Sequence, residues 1–100
     1  MATRITNSGL KTLKVLFALK GHSLNGLSNS DLAKGLNESP ATINRCLNTL
    51  IEAGAATRLD SGRYALSVSV LQLAQAHTEE MGQATARINE LNQRIAAGSR

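Results

Sequence analysis

Apolar residues recur at helical spacing through the first half of the chain and predict three successive helices. The first is predicted from about Ser8 to Lys20. Its inward stripe is predicted to consist of Leu10, Leu13, Leu16 and Phe17. A second, short helix is predicted after Ser28, because Asp31 stands three residues on and can complete a capping box. Asn37, which tolerates a left-handed backbone, is predicted to lie in the turn that follows.

The third helix, between Ser39 and Gly54, has the clearest start and stop signals. Ser39 suits the N-cap, Pro40 the first helical position, and Gly54 the left-handed position after the last turn. One apolar stripe is formed by Ile43, Leu47, Leu50 and Ile51. The other face carries short polar groups and one guanidinium, namely Thr42, Asn44, Arg45, Asn48 and Thr49. Such a face suits hydrogen bonds to base edges and phosphates, so residues 40–53 are interpreted as a DNA-recognition helix.

A β-hairpin is predicted directly after the third helix, from Ala55 to Leu66. The segment Asp60-Ser61-Gly62 has the turn residues of a short hairpin loop, and Arg58 and Arg63 lie on the two arms near the tip. The predicted fold is therefore mostly α: a winged helix-turn-helix of three helices and a β-hairpin wing, with a long C-terminal helix. In that arrangement the third helix enters the major groove, and the wing, residues 56–66, reaches the backbone or minor groove.

A 3.5-residue apolar repeat in the last third of the chain predicts the long helix, starting after Ser67 or Ser69 and ending near Ala97. The repeat consists of Val70, Ala74, His77, Met81, Ala84, Ile88, Leu91 and Ile95. A lone helix of this length has no core of its own, so we expect the repeat to pair with a second copy of the chain. Packing of the helix on its own domain is the alternative. The predicted organisation is a flexible N-terminus, residues 1–7, a DNA-binding domain, residues 8–67, and a dimerisation helix, residues 68–98.

The charge of the chain is concentrated in its first two-thirds. Residues 1–66 carry eight Lys or Arg against four Asp or Glu, whereas residues 67–100 carry three of each. A basic N-terminal region beside a neutral C-terminal region is typical of a protein that binds a polyanion. Only Phe17 and Tyr64 are aromatic, which argues against stacking on single-stranded nucleic acid.

The composition also limits the compartment and the chemistry. The single cysteine, Cys46, excludes an internal disulfide and favours a reduced, cytoplasmic location. No run of about 18 apolar residues exists, so no membrane contact is expected. We find no catalytic triad, no phosphate-binding glycine loop and no metal-ligand spacing, and we therefore expect neither an enzyme nor a cofactor or metal.

A set of motifs resembles the N-terminal winged helix-turn-helix domain of the IclR family of bacterial transcription regulators, over about residues 8–75. These motifs are Leu32-Ala33, Ser39-Pro40-Ala41-Thr42-Ile43-Asn44-Arg45, Leu47-Asn48-Thr49-Leu50, Gly54 and Gly62-Arg63-Tyr64-Ala65-Leu66. The resemblance implies that Thr42, Asn44 and Arg45 occupy DNA-contacting positions. Ala41 stands where the family usually has a serine, and Glu38 where its turn is usually apolar. The ligand-sensing domain of the family has no counterpart in these residues, so no effector is inferred, and a stand-alone bacterial or phage regulator is expected.

We therefore expect a sequence-specific regulator of transcription that binds double-stranded DNA as a homodimer. The expected DNA contacts are Ser28, Ser30, Ser39, Ala41, Thr42, Asn44, Arg45, Asn48, Arg58 and Arg63. The serines at the helix starts are expected to take phosphates. The alternatives at the level of the whole protein are a protein–protein interaction adaptor and a DNA-binding accessory protein without sequence preference.

Several of these side chains also have simpler interpretations. Arg45 can pair with Glu38 or Glu52 instead of DNA, and Arg58 and Arg63 can be ordinary solvated charges.

Two further side chains also have a simpler structural interpretation. His77 is more simply a packed or partly exposed helix residue than a pH-sensitive contact. Cys46 is more simply a small apolar residue than a redox sensor.

Overall fold

Four helices and one two-stranded antiparallel hairpin make up residues 3–98, the part of the chain that this computed structural model describes. In chain order they are α1 (Asn7–Ala18), α2 (Asn29–Leu36), α3 (Pro40–Glu52), β1 (Ala56–Arg58), β2 (Tyr64–Leu66) and α4 (Val68–Gly98). The predicted winged helix-turn-helix with a long C-terminal helix is confirmed. Residues 1 and 2 of the predicted flexible N-terminus lie outside the described residues.

A third short segment, which was not predicted from the sequence, pairs with the hairpin. Within the hairpin, Ala56 lies opposite Leu66 and Arg58 opposite Tyr64. On its other side, Tyr64 exchanges two backbone hydrogen bonds of 2.8 Å with Leu27, which precedes α2. The wing is therefore fixed to the start of α2 as well as to the end of α3.

An aliphatic core lies between α1, α2, α3 and β1. Its buried members are Val15, Leu19, Leu32, Ala33, Ile43, Cys46, Leu47, Leu50 and Ala56. Cys46 is only 6% exposed, as expected of a small apolar residue. Cys46 lies at one edge of the buried stripe of α3, whereas Ile51 at the other edge is 38% exposed, so the prediction that Ile51 belongs to the stripe was wrong.

The predicted inward stripe of α1 was also wrong. Leu10, Leu13 and Phe17 are 42%, 51% and 73% exposed, whereas Val15 and Leu19 are buried. Of the predicted stripe, Leu16 alone is partly buried against the core. α1 is apolar on two opposite faces, and a periodicity argument cannot choose between two such faces. Packing against α3 selects the face that carries Val15 and Leu19.

The helix ends follow the predicted capping. Ser28 and Asp31 form the capping box of α2, with hydrogen bonds of 3.0 and 3.1 Å. Asn37 ends that helix in the left-handed region, at φ 55°. The Ser39 hydroxyl caps α3 by accepting from the Thr42 N–H at 3.1 Å. Ser67, rather than Ser69, caps α4 by accepting from the Val70 N–H at 3.3 Å.

The chain divides into two compact units, one ending at Val70 and the other beginning at Leu71. The second unit is a continuous part of α4, a helix of 31 residues in which no described residue is buried. The assignment of the two units as a DNA-binding domain and a dimerisation helix stays a prediction. None of the described helices is long and apolar enough to cross a membrane.

Candidate nucleic-acid interface

The starts of α2 and α3 are tied together at the corner between them. The Asn29 side-chain amide donates to the Pro40 carbonyl at 3.1 Å. This contact links the first turn of each helix, so the caps Ser28 and Ser39 belong to one corner. Sequence reasoning missed Asn29, because its partner is eleven residues away and no local pattern connects them.

The outer face of α3 carries most of the predicted recognition residues. Ala41, Asn44, Arg45 and Asn48 are exposed, and Thr42 is half-buried. The structure also brings three of the predicted residues into one chain of contacts. The Ser39 hydroxyl donates to the Thr42 hydroxyl at 2.9 Å, and one Arg45 Nη donates to the same Thr42 oxygen at 3.5 Å. The N-cap thereby orients Thr42, and one nitrogen of the arginine lies beside the Thr42 hydroxyl.

Arg45 keeps most of its donors free for a partner outside the chain. Among the described residues, no ion pair joins it to Glu52 or to Glu38, so neither pairing alternative is found. Glu38 pairs instead with Lys11 of α1, at 3.6 Å. A contact of 3.5 Å to Thr42 is weak, because hydrogen-bond strength falls beyond about 3.2 Å. The guanidinium is therefore positioned but not neutralised.

A groove runs between α1 and the side of α3 next to the recognition face. It encloses about 360 Å³, and the residues that line it are Asn7, Ser8, Lys11, Thr12, Thr42, Arg45, Cys46 and Thr49. Lys11 adds a second cation to this side of α3. Lys11 could not be singled out from the sequence, because only the fold places that face of α1 beside α3.

The two wing arginines have different surroundings. Arg58 is exposed, and its guanidinium carbon lies 6.0 Å from the centre of the Tyr64 ring, at the limit of a cation–π contact. Arg63 is turned inward. Its Nε donates to the Asn25 carbonyl at 3.0 Å, and one Nη donates to the Gly26 carbonyl at 3.1 Å.

The same Nη of Arg63 lies 3.3 Å from the Asp31 carboxylate. Arg63 is thus not an ordinary solvated charge, because it fastens the wing to the loop before α2 and to the capping box. Its predicted contact with DNA stays a prediction.

Gly26 allows this close approach. Its φ of 69° is left-handed, and a Cβ at this position would lie 2.7 Å from the Tyr64 carbonyl oxygen. A side chain would therefore push the loop away from the wing and break the Leu27–Tyr64 pairing.

The pKa of Asp31 is lowered from its ordinary value of 3.8. The largest cause is the hydrogen bond from the Ser28 backbone N–H, followed by the Ser28 hydroxyl and the positive charges of Arg63 and Lys34. All four favour the carboxylate form. The ionised Asp31 therefore joins the cap of α2 to the base of the wing. In residues 3–98, no group of three His, Cys, Asp or Glu side chains is arranged to hold a metal ion.

A sequence profile of the IclR helix-turn-helix domain matches residues 10–60, which is half of the chain. The chain belongs to the IclR helix-turn-helix family. The comparison with curated proteins gave no match.

Solved structures share the fold of this IclR-type chain. An IclR family transcriptional regulator from Brucella abortus is 24% identical, with a TM-score of 0.63 over 77% of this chain and 30% of its own. HmgR from Pseudomonas aeruginosa is 26% identical, with a TM-score of 0.66 over 77% of this chain and 33% of its own. The chain thus spans about a third of the length of these two proteins. MepR from S. aureus, in a complex with DNA, is 26% identical, with a TM-score of 0.56 over 93% of this chain and 80% of its own.

Replacing Asp31 by Asn is expected to destabilise the fold in a pH-dependent way. Because the pKa of Asp31 is lowered on folding, its carboxylate stabilises the native state above about pH 3.8, and this contribution is lost as the pH falls through the folded-state pKa. Urea midpoints of Asp31→Asn should lie below those of the native chain at about pH 7, and the gap should close towards about pH 2.

Asp60→Asn is the matched control for this experiment, because Asp60 lies in the hairpin loop and caps no helix. It should leave the urea midpoint nearly unchanged at about pH 7. A gap between Asp31→Asn and the native chain that is constant over the whole pH range would contradict the proposed role of the carboxylate.

Proposed function

We propose that this chain is a transcription regulator that binds double-stranded DNA in a sequence-specific manner, acts as a homodimer and carries out no catalysis. The observation that carries the proposal is the outer face of α3, where an oriented but unneutralised Arg45 lies among exposed asparagines. Membership of the IclR helix-turn-helix family supports DNA binding, and so does the likeness to MepR in its complex with DNA. The proposed place of action is the cytoplasm.

In this proposal α3 lies in the major groove. A helix of 13 residues is about 20 Å long and fits a groove about 12 Å wide. Arg45 binds a guanine edge or a phosphate, and the amides of Asn44 and Asn48 pair with adenine edges. Ala41 has no hydroxyl, but its methyl group suits contact with a thymine methyl. Thr42 contributes its hydroxyl and holds Arg45.

The helix starts are proposed to bind phosphates on either side of the groove. Ser28 and Ser39 both cap helices whose first-turn N–H groups attract anions. The Ser28 hydroxyl accepts from the Asp31 backbone N–H at 3.0 Å, which places it at the first turn of α2. Ser30 is exposed on the first turn of α2 and can add a second hydroxyl.

The two arginines of the wing are proposed to have different roles. Arg58, on the exposed side of β1, binds the DNA backbone or minor groove. Arg63 holds the wing at the correct angle through Asn25, Gly26 and Asp31. A DNA contact of Arg63 itself would require some of these donors to be shared.

The homodimer is proposed to form through α4, whose apolar repeat is exposed along the helix. Its large members Met81, Ile88, Leu91 and Ile95 are 47%, 60%, 58% and 60% exposed. The remaining members of the proposed seam are Val70, Ala74, His77 and Ala84. A stretch of 31 helical residues is about 46 Å long, and helices in proteins gain most of their stability by packing an apolar face of this kind. Two-fold pairing would present two α3 helices to repeated half-sites.

In-vitro selection of bound duplexes from a random pool tests this function directly. A conserved site with two half-sites is the expected result. Binding without any preferred sequence would support the accessory-protein alternative. Absence of binding at low salt would support the adaptor alternative and overturn the proposal.

Arg45→Ala should weaken binding to the selected site by about 1–3 kcal/mol, which is roughly 5- to 150-fold. If Arg45 contacts a base, preference at one base pair is also lost. Fluorescence anisotropy with the selected duplex measures both effects. Arg94→Ala removes an equal charge from the second unit of the chain and should leave affinity nearly unchanged. If Arg45→Ala and the native chain bind the selected duplex with equal affinity, the assignment of α3 as the recognition helix is wrong.

Arg58→Gln and Arg63→Gln should separate the two wing roles through salt dependence. Each lost phosphate contact lowers the slope of log affinity against log salt by about 0.9. Arg58→Gln should lower the slope by about this amount. Arg63→Gln should lower the affinity and the melting temperature while leaving the slope unchanged. An equal fall of both slopes would show that Arg63 contacts a phosphate directly.

Leu91→Glu should dissociate the dimer, because it places a charge in the proposed seam. Gln93→Glu introduces the same charge on the opposite side of α4 and is the matched control. Sedimentation equilibrium should give a dimer for the native chain and for Gln93→Glu, and a monomer for Leu91→Glu at the same concentration. A dimeric Leu91→Glu would exclude α4 as the interface.

A further inference from the structure

The loop between α1 and α2 contains the only asparagine of the chain that is followed by a glycine. Asn25 precedes Gly26, whereas the seven other asparagines precede larger residues. An asparagine loses ammonia when the backbone nitrogen of the next residue attacks its carboxamide carbon and closes a succinimide ring. Glycine obstructs this attack least, because it has no Cβ and a permissive backbone. The Asn25–Gly26 step is therefore the position in this chain most disposed to deamidation.

The fold places this step directly against the wing. Arg63 donates through Nε to the Asn25 carbonyl at 3.0 Å and through one Nη to the Gly26 carbonyl at 3.1 Å. The next residue, Leu27, exchanges two backbone hydrogen bonds with Tyr64. These contacts together form the loop–wing anchor. The main chain is thus held by the wing at the step itself and at the residue after it.

The attacking atom is blocked while the loop is closed. The Gly26 N–H donates to the His22 carbonyl at 2.8 Å, and Gly26 is buried. Attack requires this nitrogen to lose its proton and to approach the Asn25 carboxamide, so the hydrogen bond must open first. Asn25 itself is exposed to water. The rate of deamidation therefore follows the fraction of chains in which the loop has opened, as the rate of amide hydrogen exchange does.

We propose that Asn25–Gly26 is a site of spontaneous deamidation that the loop–wing anchor suppresses, and that the reaction permanently separates the loop from the wing. In the first step a bond forms between the Gly26 nitrogen and the Asn25 Cγ. The side-chain amide nitrogen leaves as ammonia and takes the Gly26 proton with it. Water then opens the succinimide to aspartate or isoaspartate, and it is the only co-reactant.

Isoaspartate lengthens the main chain where the loop has least room. In this product the chain runs through the former side-chain methylene of residue 25, which adds one atom before Gly26. A Cβ on Gly26 would already lie 2.7 Å from the Tyr64 carbonyl oxygen. The longer chain cannot keep both the Gly26–His22 hydrogen bond and the Leu27–Tyr64 pairing. The wing then keeps its own hairpin but loses its connection to the start of α2.

Incubation of the full-length chain in mildly alkaline buffer tests whether the fold protects the step. Trypsin releases residues 21–34 as one peptide that contains both Asn25 and Asn29, and fragmentation by mass spectrometry locates the converted residue. Conversion is expected at Asn25 and not at Asn29. Unfolding in urea should raise the rate at Asn25 about tenfold or more. Equal rates in the folded and the unfolded chain would overturn the protection.

Arg63→Gln and Arg58→Gln test whether the anchor provides this protection. Arg63→Gln should raise the rate at Asn25 about fivefold or more, because the loop opens more often. Arg58→Gln is the matched control and should leave the rate unchanged, since Arg58 contacts the Tyr64 ring and not the loop.

Arg63→Lys guards against a variant that fails to fold. It keeps the positive charge but loses the fork that reaches both carbonyls, so it should also raise the rate. Circular dichroism under the incubation conditions checks that each variant retains its helices. Rates in Arg63→Gln and Arg63→Lys equal to the rate in Arg58→Gln would overturn the role of the anchor.

Hydrogen exchange of the Leu27 and Tyr64 amides tests the consequence of the reaction. The isoaspartate form is separated from the native chain by ion exchange and compared with Asn25→Asp, which adds the charge without the extra main-chain atom. Protection of both amides should be lost in the isoaspartate form and retained in Asn25→Asp. Full protection in the isoaspartate form would overturn the separation of the wing. None of these measurements involves DNA, so their failure would leave the proposed function untouched.

Discussion

Burial of one face of α3 is the constraint on which the DNA-binding unit depends. α1, α2 and β1 all pack against this helix, and Ile43, Leu47 and Leu50 are almost completely buried there. Since a fully buried aliphatic side chain contributes about 1.5–3 kcal/mol, these contacts dominate the stability of a unit of this size. The same helix presents its opposite face to solvent. The proposed DNA-recognition surface is thus the exposed face of the helix whose other face forms the centre of the core. Its side chains therefore project from a backbone that the core holds rigid.

A second set of contacts fixes what lies around α3. Ser28, Asp31 and Arg63 connect a helix cap to the wing, and Gly26 allows the backbone to come close enough for these bonds to form. These groups are mostly exposed, so each contact contributes little to stability. Their value lies in geometry, because several weak bonds converge from different elements on one guanidinium. In the proposed complex, a wing held in this way does not need to be ordered when DNA binds, which lowers the entropic cost of binding.

Local chemistry explains which parts of the fold could be predicted from the sequence. α2, α3 and the hairpin were predicted because their ends carry specific residues, such as Ser39 with Pro40, or Asp60 with Gly62. The buried face of α1 was predicted wrongly because both of its faces are apolar. Arg63 was predicted as a wing cation, but its anchoring role depends on carbonyls 37 and 38 positions away. The Lys11–Glu38 ion pair could not be predicted from the sequence either, because it forms only once α1 has packed against the other helices.

The long exposed helix α4 has a consequence for the response of the protein to its own abundance. If α4 pairs as proposed, this helix of 31 residues, in which no described side chain is buried, gains stability from its partner, and its order then follows chain concentration. With the proposed homodimer, the amount of DNA-binding species rises with the square of concentration while monomers predominate. Occupancy of a two-half-site duplex would then change steeply over a narrow range of copy number. In the proposed homodimer, occupancy of the DNA therefore follows the copy number of the chain.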